Sequence, residues 1–591
     1  MSFSIKCEHS EMASSYVNAV IVLGLLGWTV FLASRAKRRV EQGNYGFLVT
    51  SLALIAVYRG LFMIEIEPNA DTSTWLASAI TVNQRSDAAW TLLTYSDSRP
   101  LTVLPLVVAL KLGAPASYAM AEVVGLLFWL GSIFTCYQIF RLHLPASGSL
   151  LACWTLCLFI GTAGYSEYIA YNSEAFAVFL TTGATYGALQ ILRRNSIPVL
   201  GAGALGGLIG FFPYEKMQIA PAGLVLAGFV AVVLARQRAW PALGALLVGG
   251  VLPTAVIIGY YAGQHEWNSF WDTYFWRYYY YSFSEEISPM TVGSRFHPGR
   301  AASFIFGNGW SALYLTALVM IIVVGMVALR WGRGPQISRV AAHSLILTSL
   351  LVCVTVYSVL QSGYNYEHYI LLLLVPLLHA ACLVLSLCPA PWRGRLIMLG
   401  LVSISLQGAF NAWFRQPLFP LPTARADERI TRLLLAHSAP GESMVVCGYA
   451  DRFHVLAHRP MGYRYANTFY IYSPLIALKN HDLRHFFHDL DHNRPSLLVD
   501  AMSPGISTYG QLDDSKRELF PGAAAYLDSN YILVDATDGV RIFRRRDQPV
   551  GPPEIETSTE NGAPLHPRLF PLPTAARSKD DSRPPPSPQA R

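Results

Sequence analysis

The chain has 591 residues, of which 53% are hydrophobic and only 14% are charged, and its mean hydropathy is +0.35. Soluble domains carry more charge than this, and apolar runs of about 20 residues recur along the chain, which predicts a polytopic membrane protein. The net charge of +7 is small and dispersed, so nucleic acid is not an expected partner. The eight cysteines show no paired spacing, which excludes a disulfide scaffold and argues against a zinc site.

The apolar runs predict about 12 transmembrane helices. The first two predicted spans are residues 16–34 and 47–64. The run 101–112 is too short to cross a bilayer, so we expect it to lie in the interface or to re-enter the membrane. The remaining ten predicted spans are 120–141, 148–165, 174–192, 199–213, 218–235, 241–262, 302–329, 340–361, 369–388 and 396–414.

The distribution of arginine predicts the orientation of these helices. If the run RAKRR at 35–39 is cytoplasmic, alternation places the later arginine-rich turns, from Arg141 to Arg395, on the same side. Such a bias in short loops is the positive-inside pattern. The opposite, extracytoplasmic face then carries the loop with Asp71, together with Glu167, Glu174, Lys216, His368 and the chain beyond residue 414. The predicted location is the cell (inner or plasma) membrane.

Composition divides the chain into four predicted segments. Residues 1–45 hold an N-terminal extra transmembrane helix and a basic cytoplasmic turn, and residues 46–415 form the transmembrane domain with an outer loop at 65–119. Short β-type runs and a helical run predict an extracytoplasmic α/β domain over 416–546. The proline-rich tail 547–591 is predicted to be disordered. The predicted fold class is therefore an all-α polytopic membrane protein with a C-terminal α/β domain.

The outer loop begins with EPNADTSTWLASAI at 67–80. It places the carboxylate of Asp71 just outside a predicted span, where a lipid-borne substrate would present its headgroup. The alternative is that Asp71 caps the helix that carries Trp75, a role in which aspartate is common.

Four further residues near the predicted outer face each have a structural and a functional interpretation. Glu174 could stabilise a helix N-terminus or share a cavity with Asp71. Lys216 could extend to the interface or hold a phosphate. Arg59, inside the second predicted span, could extend outward along its helix or mark a functional path in the bundle interior. His368 could be a hydrogen-bonding residue at a helix end or a catalytic residue.

Four histidines in the C-terminal region follow a helical spacing. Their positions, four, three and four residues apart, could align them on one helix face: His481, His485, His488 and His492. Imidazoles suit zinc, but we favour an exposed polar face opposite Leu483, Phe486 and Leu490.

Several runs resemble the GT-C glycosyltransferases, in particular the family 39-like, dolichyl-phosphate-mannose protein mannosyltransferase-like and ArnT-like membrane proteins. The resemblance covers most of residues 45–546 and depends on the order of its motifs. Those motifs are DTSTWLASA, SDAAWTLLTYSDSRPLTVLPL, YNSEAFAVFL, FFPYEKMQIAP, EHYILLLLVPL and the C-terminal run MVVCGYADRFHVLAHRPMGYRY.

The resemblance implies a hexosyl- or pentosyltransferase that moves a sugar from a polyprenyl phosphate to a lipid, glycan or protein acceptor, with inversion. It makes Asp71 the catalytic base. It assigns the donor phosphate to Lys216, Arg59, His368 and Tyr369, and the sugar or acceptor to Glu174, Asp87, Gln218 and Tyr171. The expected partners also include membrane lipids.

One position departs from the family pattern. Relatives often have a second acidic residue directly after the aspartate, whereas this chain has Thr72. We therefore expect no metal and no cofactor, with a divalent cation as the alternative. Two other function classes stay open, namely a lipid-linked sugar transporter or flippase, which would favour inverted repeats, and a non-catalytic membrane scaffold.

Overall fold

The computed structural model describes residues 21–548, except 39–41, 62, 64–65, 89–91, 93–98, 195–197, 285–287, 289, 332–338, 414–421, 469–470, 472–475, 504–505 and 507–522. All the described residues belong to one structural unit. The predicted disorder of the tail, like the beginning of the first predicted span, lies outside the described residues.

The regular elements described between residues 21 and 263 are all helices. Helix α1 covers residues 21–37, α2 covers Asn44–Gly60 and α3 covers Ala70–Gln84. The following helices are Arg99–Lys111, Tyr118–Phe140, Ala146–Thr162, Ser166–Ile169, Ser173–Arg193, Val199–Gly210, Phe212–Glu215, Ala220–Arg236 and Trp240–Gly263.

A broken helical segment then leads into the last apolar helices. It comprises Trp267–Trp271, a π-helical turn at Asp272–Trp276, Arg277–Phe283, Val292–Arg295 and Pro298–Gly307. The predicted span 302–329 is wrong as a single helix, because the chain leaves the helix at Asn308 and a new helix begins at Ala312. The remaining apolar helices are Ala312–Trp331, Arg339–Leu360, Leu371–Leu387 and Ala390–Trp413.

Within the described residues, eight helices are long and apolar enough to cross a membrane. Three shorter apolar helices accompany them, at Pro100–Lys111, Ala146–Thr162 and Val199–Glu215. The count of about 12 spans stays a prediction. The eight candidates are Tyr118–Phe140, Ser173–Arg193, Met217–Arg236, Trp240–Gly263, Ala312–Arg330, Val340–Leu360, Glu367–Leu387 and Pro391–Trp413.

The C-terminal region contains a four-stranded sheet in the order β1-β2-β4-β3. Its strands are β1 Met444–Cys447, β2 Leu497–Asp500, β3 Tyr531–Thr537 and β4 Val540–Arg545. Strands β1 and β2 are parallel, and the other two pairs are antiparallel. The helices of this region are Pro422–Ala436, Arg452–Ala457, Ile476–Asn493 and Ala523–Asn530.

Helices cover both faces of this sheet. Val445 and Leu498 pack with Phe486 on one face, whereas Met444 and Val446 on the other face pack with Ile430 and Leu434 from the helix Pro422–Ala436. Because β1 and β2 are buried on both faces, they read as continuous apolar runs in the sequence. Strand β4 carries arginines and was not predicted.

Two membrane helices pack through glycine. An added Cβ at Gly206 would lie 2.1 Å from the Leu246 carbonyl oxygen, and one at Gly249 would lie 2.2 Å from the Gly203 carbonyl oxygen. The helices Val199–Gly210 and Trp240–Gly263 therefore approach backbone to backbone, which is how small residues associate helices inside a bilayer.

We expect Gly249→Ala to lower the thermal unfolding midpoint in detergent, because the new methyl group must separate two backbones; overpacking of this kind costs about 1–3 kcal/mol. Gly244→Ala in the same helix is the control, since nothing lies within 4 Å of its added Cβ. That variant should match or exceed the wild type, because alanine favours helix. Equal midpoints for the two variants would contradict the close approach.

Candidate functional site

Helix α3 places Asp71 in its first turn, and Asn69 caps it. The side-chain Oδ1 of Asn69 accepts a hydrogen bond of 2.7 Å from the Asp71 backbone N–H. The Asn69 Nδ2 donates to Glu167 Oε1, also at 2.7 Å. Asp71 is therefore not the cap of this helix, and its carboxylate is available for other contacts.

Although polar, α3 is buried along most of its length. Residues 72–81 are all buried, and each hydroxyl in that stretch has a partner, as burial of polar groups requires. The Thr72 hydroxyl donates to the Tyr171 carbonyl at 2.8 Å, and the Ser73 hydroxyl donates to Glu67 at 2.5 Å. The apolar residues, among them Trp75 and Leu76, pack against the helix Arg99–Lys111.

The carboxylate of Asp71 is half-buried and has one protein hydrogen bond. Its Oδ1 accepts from the Tyr449 hydroxyl at 2.9 Å, and Oδ2 accepts from no described residue. Burial raises the pKa of the Asp71 carboxyl, while His368, the bond from Tyr449 and Lys216 oppose that rise. A carboxylate with a raised pKa and an open oxygen is a stronger proton acceptor than an ordinary aspartate.

Asp71 interacts electrostatically with His368, Glu167 and Lys216, and these residues are held by contacts with one another and with Glu174. Lys216 Nζ lies 2.8 Å from Glu174 Oε1 and donates to the Ser173 hydroxyl at 2.6 Å. His368 bonds through Nδ1 to Glu167, and its Nε2 lies 3.8 Å from Glu174 Oε1. The structure thus brings Asp71, Glu174, Lys216 and His368 to one place from four separate segments.

A local cap explains the position of Glu174. Asn172 caps the helix Ser173–Arg193, with its Oδ1 accepting from the Ala175 backbone N–H at 3.2 Å. The carboxylate of Glu174 is fully buried in the first turn of that helix. The first-turn position of Glu174 agrees with the predicted stabilisation of the helix N-terminus, and the cavity shared with Asp71 stays a prediction. Lys216 itself is only 12% exposed, so it is not a solvated turn residue.

Tyrosines form one wall of this cluster. The Lys216 Nζ lies 5.1 Å from the centre of the Tyr369 ring, which is cation–π range. Tyr281, Tyr364, Tyr366 and His368 stack in sequence with nearly parallel rings and centroid distances of 4.9, 5.3 and 5.5 Å. The stack fixes the plane of the His368 imidazole.

Two buried polar side chains beside Lys216 lack partners among the described residues. Both carboxylate oxygens of Glu215 and the amide nitrogen of Gln218 are buried without a hydrogen bond. Such groups are rare in folded proteins. Gln218 was predicted to contact sugar or acceptor, and its free donor is compatible with that role.

The structure leaves three predicted site residues outside the cluster. Arg59 is buried and pairs with Glu122 at 2.5 Å, while it also donates to the carbonyls of Ile160 and Ile169. Its guanidinium therefore supports the short helix Ser166–Ile169 rather than facing Asp71. This geometry does not favour the predicted phosphate role for Arg59.

Tyr171 and Asp87 are likewise committed elsewhere. The Tyr171 hydroxyl donates to the Thr102 carbonyl at 2.5 Å, and its ring packs edge-on against Trp75. Asp87 is exposed and pairs with Arg85 at 2.8 Å. It lies beyond the far end of α3, about 20 Å along the helix from Asp71 at 1.5 Å per residue. The arginine lowers the pKa of Asp87, which makes it a poor base.

Three contributors were not predicted. Asn69 could have been found from the sequence, because PNAD before an apolar helix is a capping pattern. Glu167 was placed at the outer face but given no role. Tyr449 follows β1 in the C-terminal region, 378 residues from Asp71, and only folding brings the two together.

The four histidines of the C-terminal helix do not share one environment. His481 is buried, bonded to Asp482 and 3.2 Å from Asp272 Oδ2, whereas the His488 side chain is 67% exposed. Burial and neighbouring cations lower the pKa of His485 to about 2. Among the described residues no group of three or more histidine, cysteine or acidic side chains is arranged to hold a metal.

Two known structures of one protein share this architecture. ArnT from Cupriavidus metallidurans bound to undecaprenyl phosphate aligns with a TM-score of 0.53 and 12% identity, over 86% of this chain and 99% of that one. The apo state of the same protein aligns at 0.50 and 13%, over 84% and 98%. An oligosaccharyltransferase from Archaeoglobus fulgidus, in complex with zinc and sulfate, aligns at 0.41 and 12%, over 77% and 68%.

No protein-family profile and no curated protein matches the sequence. The structural likeness is nonetheless sufficient for the fold: this chain has the fold of ArnT, which agrees with the resemblance of its sequence motifs to the GT-C proteins. With that fold and its apolar helices, it is a multi-pass membrane protein.

We expect Arg59→Met to destabilise the protein strongly, because it leaves Glu122 as an unpaired buried charge; losing one partner of a buried pair costs about 3–5 kcal/mol. The double variant Arg59→Met/Glu122→Met should recover most of the thermal midpoint in detergent. A double variant no more stable than Arg59→Met would contradict the buried pair as the main role of Arg59.

Proposed function

We propose that this protein transfers a sugar from a polyprenyl-phosphate-linked donor to an acceptor hydroxyl, with inversion, at the extracytoplasmic face of the cell membrane. The observation that carries the proposal is the open Oδ2 of Asp71 beside the cations Lys216 and His368. Such a transfer needs a base for the acceptor hydroxyl and positive charge for the phosphate, and this cluster contains both.

The reaction follows from this arrangement. The acceptor oxygen attacks the anomeric carbon while Asp71 Oδ2 takes the hydroxyl proton. The bond between the anomeric carbon and the phosphate oxygen breaks on the opposite side, and polyprenyl phosphate leaves with the electron pair. One displacement inverts the anomeric configuration. The burial that raises the pKa of Asp71 brings its basicity closer to that of a useful general base.

Positive charge stabilises the departing phosphate. Lys216 is neutralised in part by Glu174, and His368 is flanked by Glu167 and Glu174. These pairs hold the two cations in fixed positions before the donor arrives, so little reorganisation is needed as charge develops. The proposed reaction uses Lys216 and His368, not a bound metal, for this purpose.

The surrounding residues position the donor sugar and the acceptor. We assign the sugar to Glu174, Gln218 and the wall that includes Tyr369, and we assign Arg59 a supporting role through the Ile169 carbonyl. The similar fold of ArnT bound to undecaprenyl phosphate supports a polyprenyl phosphate as the carrier. Mass spectrometry of lipids and surface glycans from cells with and without the gene identifies the sugar and the acceptor.

We expect Asp71→Asn to reduce transfer about 10²–10⁴-fold, the usual contribution of a general base. Asparagine keeps the size of the side chain and can still accept from Tyr449, so expression and thermal stability should change little. The readout is the glycan product at matched protein levels. Asp87→Asn is the control in the same loop and should stay near the wild type, because Asp87 is exposed and paired with Arg85. Wild-type transfer by Asp71→Asn would remove the catalytic assignment.

The role of Lys216 can be tested without knowing the sugar. Lys216→Ala alone would remove the nearest counter-charge of the buried Glu174, so we compare Glu174→Gln with Lys216→Met/Glu174→Gln. The single variant keeps the cation and should still bind undecaprenyl phosphate in nanodiscs, whereas the double variant should bind it at least about tenfold more weakly, since a hydrogen bond to a charged group contributes about 1.5–3 kcal/mol. Equal affinities would show that Lys216 serves only to neutralise Glu174.

A further inference from the structure

The C-terminal region contacts α3 along its whole length. Near the N-terminal end of the helix, the Tyr449 hydroxyl donates to Asp71 and the Thr74 hydroxyl donates to Asp451. Near the other end, the Thr81 hydroxyl accepts from the Met461 backbone N–H at 2.9 Å, and Gln84 donates to the His458 carbonyl at 3.1 Å. Helix α3 therefore makes hydrogen bonds both to the helical part of the chain and to the C-terminal region.

The loop that carries Tyr449 is tightly constrained. It follows β1 through Gly448, whose φ is +104° and whose added Cβ would lie 2.8 Å from the Ala501 carbonyl oxygen. Only glycine tolerates both conditions. The Gly448 backbone N–H donates to the Thr468 hydroxyl at 2.9 Å. The chain direction at Tyr449 is thus set before its side chain reaches Asp71.

Ion pairs fix the loop on its other side. Arg452 bonds to Asp427 at 2.9 Å within the C-terminal region, and its Nη1 lies 3.8 Å from Glu67 Oε2, just before α3. Asp451 also accepts from the Asn467 side chain at 3.0 Å. Tyr449 therefore lies between Gly448 and Asp451, which are both held by other hydrogen bonds. Its own bond to Asp71 belongs to an ordered interface.

We propose that the C-terminal domain completes the active site, with Tyr449 as the positioning residue that holds Asp71 Oδ1 and leaves Oδ2 directed at the acceptor. This inference rests on the proposed role of Asp71. Tyr449 acts through Asp71 and does not itself exchange a proton with the substrate. The hydroxyl donates, so its bond is stronger when Asp71 is ionised than when it is protonated.

The charges that face Asp71 determine how its pKa changes when the Tyr449 hydroxyl is removed. Burial and nearby carboxylates raise its pKa, and the cations and the tyrosine hydroxyl lower it. Removing the hydroxyl takes away one lowering contribution, so the pKa of Asp71 rises further and its protonated form persists to higher pH. The groups facing Asp71 from the surrounding elements are Glu67, Glu167, Lys216, His368 and Tyr449.

The test is the titration of Asp71 itself, read by dicyclohexylcarbodiimide, which reacts with protonated carboxyl groups. Purified full-length protein in detergent is labelled across pH 4–9, and the modification of Asp71 is quantified by peptide mass spectrometry. In Tyr449→Phe the labelling midpoint should move up by about one pH unit, as expected for the loss of a hydrogen bond to a charged acceptor.

Gln84→Ala is the matched control, because it removes a bond of the same interface at the far end of α3. Its Asp71 midpoint should equal that of the wild type. An unshifted midpoint in Tyr449→Phe, or the same shift in Gln84→Ala, would overturn the inference. The proposed function fails separately: it falls if Asp71→Asn retains transfer, whatever the titration shows.

Discussion

Burial of Glu174 is the constraint on which the site depends. A fully buried carboxylate is costly unless it is paired and hydrogen-bonded, and here Lys216 at 2.8 Å is its main counter-charge. The need for that partner draws the turn carrying Lys216 against the start of the helix Ser173–Arg193. His368 is placed by the same requirement, between Glu174 and Glu167. The positions of the cations proposed to hold phosphate are therefore set by ion pairs within the protein itself.

Helix α3 meets a second constraint, because it is polar and yet buried. Every hydroxyl that it buries needs a partner, and the partners come from both sides: Tyr171 from the membrane bundle, and Asp451 and Met461 from the C-terminal region. A helix satisfied in this way cannot form its native contacts in either part alone. The segment that carries Asp71 and the C-terminal region are thus packed as one structural unit, which is why a tyrosine after β1 can reach Asp71.

Arg59 illustrates the difference between a charged residue that supports a site and one that belongs to it. Its depth in the bundle was a reason to expect function. Its guanidinium instead pairs with Glu122 and holds the carbonyl that ends the helix carrying Glu167. The shared fold with ArnT, at 12% identity, leaves such side-chain roles undetermined, so they have to be argued from the contacts of this chain.

The sequence by itself determined the membrane class, most of the apolar helices and the GT-C motifs, because hydrophobic length and motif order are local properties. It also selected Asp71, Glu174, Lys216 and His368, since the arginine bias placed them on one face. Only the tertiary structure decided which of those groups meet. Arg59, Tyr171 and Asp87 looked equivalent in the sequence, but their partners Glu122, Thr102 and Arg85 are specified by packing. Tyr449 was inaccessible to sequence reasoning, because no local pattern records a hydrogen bond across 378 residues.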